Sequence, residues 1–102
     1  MADSFFQSVY AVVARIPYGR VLCYGDIARM IGYSNRARFV GFAMRVCPDG
    51  LPWHRVVMAD GSIAGGEYAP LRRALLEREG VPFLPDGRVD LTACRAALCA
   101  DR

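Results

Sequence analysis

Two groups of residues in this chain could do chemistry. The first is Pro52-Trp53-His54-Arg55-Val56, which holds the only Trp and the only His of the sequence. An indole has no thiolate, so Trp53 cannot accept a group by nucleophilic displacement. The second is the stripe Arg38, Gly41, Arg45, spaced i, i+3, i+7 on one side of an expected helix. Two arginines flanking a glycine let a backbone come close to a phosphate-lined groove, which favours DNA contact over a merely solvated face. Outside these groups lie four cysteines, Cys23, Cys47, Cys94 and Cys99. They form no Cys-x-x-Cys pair and only one His is present, a pattern that does not fit a structural zinc site. No metal and no cofactor is therefore expected, and free thiols are expected in a chain assigned to the cytoplasm.

At 102 residues the chain suggests one domain with one core, large enough to fold without disulfides or metal. The net charge is only +3, but it is unevenly spread. From Arg20 to Arg55 six Arg face two acids, Asp26 and Asp49, whereas from Gly61 onward six Arg meet six acids. A positive excess confined to one segment is what a nucleic-acid-binding surface needs. No apolar run is long enough to span a membrane. Met1-Ala2-Asp3-Ser4 does not resemble a signal peptide, so a cytoplasmic location is expected.

The elements that must position these residues follow from spacing. Ser4-x-x-Gln7 is a capping-box pattern. Phe5, Phe6, Val9, Val12, Val13 and Ile16 then recur at helical spacing, and this first helix should end before Pro17. Val21-Leu22-Cys23 reads as extended. A short helix from about Tyr24 to Ile31 should stop at Gly32, and a third, from Arg36 to about Val46, should start from a cap at Ser34 or Asn35. Ala37, Val40 and Met44 are its expected core face. Two short helices joined by a tight turn read as a helix-turn-helix. Val56-Val57-Met58 reads as a strand, Ser62 to Pro70 as a Gly-rich loop, and Leu71, Leu75 and Leu76 as a helix ending at Gly80. Val81-Pro82-Phe83 is expected to be extended, Arg88 to Leu91 a short strand, and the tail from Thr92 a frayed helix.

Five segments in order carry a family resemblance. They are Ile16-Pro17-Tyr18-Gly19-Arg20-Val21 with Tyr24-Gly25-Asp26-Ile27-Ala28; Ala37 to Arg45; Pro52 to Val57; and Leu75-Leu76-Glu77-Arg78-Glu79-Gly80. Together they resemble the O6-alkylguanine-DNA alkyltransferases, whose active-site motif is Pro-Cys-His-Arg-Val. Trp53 stands where those enzymes carry the acceptor Cys. With no separate N-terminal domain expected, the chain is most similar to the alkyltransferase-like proteins. The resemblance implies a mostly α fold with short β elements, built on a winged-helix-like (helix-turn-helix) unit. It implies a non-enzymatic protein that enters the minor groove, flips O6-alkylguanine out of the duplex and directs it to nucleotide excision repair. Flipping is needed because O6 is hidden in the stacked pair. Double-stranded DNA carrying the lesion and excision-repair proteins are the implied partners of a monomer that touches no membrane.

The resemblance also assigns roles. Arg38 matches the arginine finger that fills the vacated stack, and Tyr24 the residue that crowds the 3′ phosphate. Gly41 and Arg45 complete the DNA face. Trp53 is expected to wall the lesion pocket, with Tyr24, His54, Val56, Gly65 and Gly66 around it. His54 and Glu79 match a proton relay that has no nucleophile left to serve, and they should persist as a hydrogen-bonded pair. Arg55 is expected to tie the motif to the recognition helix. Three departures stand out. Phe39 and Phe42 replace small residues and could face the groove or pack inward. Cys47 replaces a turn-stabilising Asn, so another contact must hold that turn. The Ser62–Pro70 loop offers Glu67 and no Arg, and thus no cation toward an adduct. Two other readings stay open: an active methyltransferase using Cys23 or Cys47, and a winged-helix transcription regulator.

Overall fold

The computed structural model describes residues 2–98, with side chains from Ser4 onward; Cys99 lies outside the described residues. The chain order is α1 (Ala2–Val13), β1 (Leu22–Cys23), α2 (Tyr24–Met30), α3 (Ala37–Arg45), a 3-10 turn (Trp53–Arg55), β2 (Val56–Val57), α4 (Ala69–Arg78) and α5 (Leu91–Cys94). The fold is mostly helical. Its one sheet among the described residues pairs β1 with β2 in parallel, Leu22 opposite Val56 and Cys23 opposite Val57.

Strand alternation divides the interior into two cores. Leu22 and Val56 point one way, into a cluster with Val9, Val12, Val13 and Ile16 after α1, Ile27 of α2, and Val40, Ala43 and Met44 of α3. Val21, Cys23 and Val57 point the other way, into a cluster with Leu76, Val81, Val89 and Cys94. The sheet is thus the partition between the helix-turn-helix and the C-terminal part that carries α4. A parallel bridge between Val21 and Arg95 extends it, with Val21 N–H donating to the Cys94 carbonyl at 3.0 Å and Ala96 N–H to the Val21 carbonyl at 2.8 Å.

Three local expectations are corrected. Ser4 is not a cap: α1 already runs from Ala2, and Ser8 Oγ donates back to the Ser4 carbonyl at 3.1 Å. Burial of an amphipathic face extends the helix past the local capping signal. Residue Arg36, not Ser34 or Asn35, precedes α3, and no side chain caps it. The Tyr33–Arg36 turn is closed by its own backbone, Arg36 N–H to the Tyr33 carbonyl at 2.8 Å. Arg36 then lies over the rings of Tyr33 and Phe39, at 5.6 and 5.5 Å from their centres. The stretch Arg88–Leu91 is not a strand. Only Val89 bridges Phe83, and the Asp90 carboxylate accepts from Ala93 N–H at 3.3 Å to start α5. Leu71 marks α4 in sequence but is exposed, and Leu76 is the α4 residue that is fully buried.

Two contacts aim α3. The Tyr10 hydroxyl donates to the Ala43 carbonyl at 2.7 Å, fixing the last turn of α3 to α1. Between α2 and α3, Gly32 takes φ +87°, which side-chain-bearing residues rarely adopt, so the tight turn needs that glycine. The buried Asp26 of α2 accepts from Cys23 N–H at 3.1 Å and from Arg29 at 2.7 Å, and is ion-paired with Arg95 at 3.2 Å. Burial pushes its pKa up; the Cys23 amide, Arg29 and Arg95 outweigh that and hold it below the usual range. This carboxylate joins the helix-turn-helix to the C-terminal segment.

Candidate nucleic-acid interface and pocket

α3 presents its two faces as its periodicity requires. Val40, Ala43 and Met44 are buried and Ala37 is half-buried. Arg38 and Arg45 are exposed on the opposite side, with Gly41 between them. Arg38, Gly41 and Arg45 face a cleft of about 540 Å³ whose far wall is the loop Ala64–Tyr68, and Tyr24 of α2 also faces it. Nothing lies within 4 Å of where a Gly41 Cβ would stand, so this surface of the helix is open. Among the described residues Arg38 has no hydrogen-bond or ion-pair partner and is available to a ligand. Gly65 and Gly66 line the same cleft, Gly66 at φ +101°.

Phe39 and Phe42 do not pack inward. Both are exposed, at 43% and 41%. Their rings meet edge to face at 5.6 Å, and Phe42 lines the cleft with the Arg45 guanidinium 5.8 Å from its ring. A recognition-type helix with two exposed aromatics offers apolar surface to a groove as well as charge.

A second cavity of about 330 Å³ adjoins the first, sharing Met44, Arg45, Tyr68 and Arg72 as walls. Trp53, Cys47 and Asp49 complete it. Trp53 therefore walls a pocket next to the α3 face, with Tyr68 edge-on to its indole at 6.4 Å. Two expected pocket residues do not line either cavity. Val56 is 3% exposed and packs into the helical core, because β2 pairing with Leu22 turns it inward. His54 stands behind Trp53, their rings at 6.0 Å, and turns to Glu79.

Glu79 is the hub beneath the motif. Its side chain is 7% exposed. His54 Nε2 lies 2.7 Å from Oε2 and donates to it while Glu79 is ionised. Arg55 donates from Nε at 3.0 and 3.1 Å and from Nη2 at 2.9 Å, and Gly19 N–H donates at 2.8 Å. Burial alone would raise the Glu79 pKa. Hydrogen bonds from Arg55, Gly19 and His54, with the Arg55 charge, outweigh it and bring the pKa down to about 2. The expected His54–Glu79 pair is present. Arg55 corrects its expectation: its other contact is Nη1 to the Ile16 carbonyl at 2.8 Å, at the end of the α1 region, not the recognition helix. The motif is thereby tied to the Ile16–Gly19 turn and to α4.

The three described cysteines are all at least partly covered. Cys23 and Cys94 are buried and Cys47 is half-buried. Burial raises all three thiol pKa values, helped at Cys23 by Asp26, at Cys47 by the Asp49 charge and at Cys94 by Asp90. Thiols held in the neutral form are poor nucleophiles.

One pocket residue was invisible in sequence spacing. Arg72, on the first turns of α4, places its guanidinium 5.2 Å from the Trp53 ring centre. Its Nη1 reaches the Ala64 and Gly65 carbonyls at 3.3 and 3.5 Å. The loop has no cation of its own, but α4 supplies one beside it. The signal was the Arg72-Arg73 pair following the loop, which reads as an ordinary helix surface until Trp53 is seen opposite.

Comparison with known proteins agrees with this geometry. Residues 4–81 match the profile of the 6-O-methylguanine DNA methyltransferase, DNA binding domain. The chain is 44% identical over 97 residues to a DNA base-flipping protein of Escherichia coli K12, covering 91% of this chain and 74% of that one. It is 44% identical over 86 residues to Alkyltransferase-like protein 1 of Schizosaccharomyces pombe, covering 78% of each. The crystal structure of S. pombe Atl1 in complex with damaged DNA containing O6-carboxymethylguanine superposes with a TM-score of 0.83 at 34% identity, covering 94% of this chain and 97% of that one. Helix-turn-helix, altered motif and closing helix thus occur together, in order and in one fold, and this chain belongs to the 6-O-methylguanine DNA methyltransferase DNA-binding-domain family.

Proposed function

We propose that this protein recognises O6-alkylguanine in double-stranded DNA without repairing it. α3 enters the minor groove, Arg38 fills the space left by the flipped nucleotide, and Tyr24 acts on the neighbouring phosphate. Trp53 receives the extruded base. The observation that carries this reading is the adjacency of two surfaces: a cationic helix face and a Trp-walled cavity that share Arg45, Tyr68 and Arg72. A duplex gripped on the first can deliver one nucleotide to the second. An alkylated guanine pairs poorly, so its extrusion costs less than that of guanine, which selects the lesion. The bound complex then serves as a monomeric mark for excision-repair proteins in the cytoplasm. The names and complexes of the relatives support this reading, as does the absence of a nucleophile at Trp53.

The protein should bind a duplex carrying O6-methylguanine in preference to its guanine counterpart and release both unchanged. After prolonged incubation, intact-protein mass spectrometry should show no added methyl, and nucleoside analysis should recover the lesion in full. Methyl transfer to Cys23 or Cys47 would instead identify an enzyme, against the raised thiol pKa values at both positions.

A further inference from the structure

Arg38, Gly41 and Arg45 occupy only one side of the exposed arc of α3. One residue further round, about 100° away, Phe39, Phe42 and Val46 repeat the same i, i+3, i+7 spacing. All three are exposed. A contiguous apolar stripe left in water marks a contact surface. Its surroundings say what kind. From Arg36 to Val46 the chain holds three arginines and no acid. Arg36 lies over the Phe39 ring and Arg45 over the Phe42 ring, at 5.5 and 5.8 Å from their centres. Cations flanking apolar rings fit a partner with anionic rims and apolar surface between them, which is a DNA groove with its phosphates and sugars. Phe42 also lines the cleft with Tyr24, Arg38 and Gly41, so the stripe continues the DNA face without a break. The rings are braced from behind. Phe42 meets Phe39 edge to face at 5.6 Å, and Phe39 meets Phe5 of α1 edge to face at 6.5 Å. Phe5 in turn packs on the helical core. A ring seated on others loses little freedom when it is pressed into a groove.

Resting on the reading of α3 as the helix that enters the minor groove, we propose that Phe42, backed by Phe39, is an apolar wedge that opens a base step near the lesion and kinks the duplex. Apolar side chains pushed between stacked pairs from the minor groove unstack them and bend the DNA toward the major groove. Phe42 follows Arg38 by four residues, a rise of about 6 Å along the helix. Base pairs stack about 3.4 Å apart, so with Arg38 in the vacated stack and α3 along the groove, Phe42 meets a step about two base pairs away. A step opened there loosens the stack on that side of the lesion and lowers the cost of extruding it. Glu67 and Asp49 stand in the loops around the cleft and its neighbouring cavity, off the helix, and do not interrupt the stripe.

The test uses O6-methylguanine duplexes and matched guanine duplexes with the fluorescent adenine analogue 2-aminopurine at successive positions on either side of the lesion. Wild-type protein should raise its emission beside the lesion and, separately, at a step about two base pairs away. Phe42 is exposed, so its replacement leaves the core intact. Phe42→Ala should lose the distant signal and keep the one beside the lesion. It should bind the lesion duplex about tenfold more weakly with an unchanged salt slope, because no phosphate contact is removed. Phe42→Leu, which is still an apolar wedge, should retain most of the signal and the affinity. No distant signal in the wild type, or the same distant signal in Phe42→Ala, would overturn the proposal. So would a dimer of the free protein that Phe42→Ala abolishes in sedimentation, which would assign the stripe to a second copy of this chain. Equal binding of lesion and guanine duplexes by the wild type would instead overturn the reading of lesion recognition, and the distant signal on either duplex would still decide the wedge.

Discussion

Replacing Arg38 by Ala should abolish most of the discrimination between lesion and normal DNA while leaving general DNA binding largely intact. Arg38 is exposed on the open face of α3 and has no intramolecular partner among the described residues, so its loss does not disturb the fold. Its proposed work is to fill the stack vacated by the flipped nucleotide. Unstacking costs a few kcal/mol, and the filling side chain offsets part of that. Removing it should weaken binding to an O6-methylguanine duplex by about 2 kcal/mol, or about thirtyfold. Arg45 provides the contrast. It shares the stripe but has its guanidinium against Phe42, and it is read as a phosphate contact. Arg45→Ala should weaken binding to both duplexes equally and reduce the slope of log affinity against log salt by about one. Fluorescence anisotropy at several salt concentrations separates the two outcomes. Equal losses for Arg38→Ala on both duplexes would reduce Arg38 to another phosphate contact.

The largest effect on stability should come from Glu79→Gln. Glu79 is ionised, nearly buried and contacted by Arg55, His54 and the Gly19 amide. Its pKa falls from 4.5 to about 2 on folding. A depressed carboxylate pKa means the folded state favours the charged form. The stabilisation is therefore fully present above about pH 4.5 and disappears as pH falls toward 2. At neutral pH it amounts to ~3 kcal/mol, and the neutral amide forfeits it while leaving the Arg55 charge short of its partner. Urea denaturation should show Glu79→Gln less stable by ~3 kcal/mol at pH 7, with the gap between variant and wild type closing as pH falls below about 4. A gap that stays constant with pH would show that packing, not the charge, makes Glu79 important. His54 and Glu79 thus act as a strut for the motif, in which Trp53 itself carries no thiol.

Much of this architecture is legible in the sequence because it rests on periodicity and on turns. The α3 stripe of Arg38, Gly41 and Arg45 and its buried face of Val40 and Met44 follow from a 3.6-residue repeat. Gly32 and Gly80 sit at helix ends with positive φ, where the helix-stop reading placed them. What was not legible depends on long-range contacts. Val56 looks like a neighbour of the pocket because it follows the motif, but strand pairing with Leu22 turns it into the core. Arg55 could have reached any neighbour of the motif, and only the fold brings the Ile16 carbonyl and Glu79 within its span. Arg72 is the clearest case. It lies 19 residues after Trp53 in a run that reads as solvated helix, and only the return of α4 across the motif sets it on the indole.

The central claim is that the Trp53 cavity receives an alkylated guanine delivered by the α3 face. Trp53 is the only Trp in the chain, so its emission reports on that cavity without labelling. The direct measurement is its fluorescence during titration with two duplexes identical except for one guanine or O6-methylguanine. A saturable change in emission with the lesion duplex, at a concentration about tenfold or more below that needed for the guanine duplex, is the predicted result. Equal affinities for the two duplexes would contradict the account.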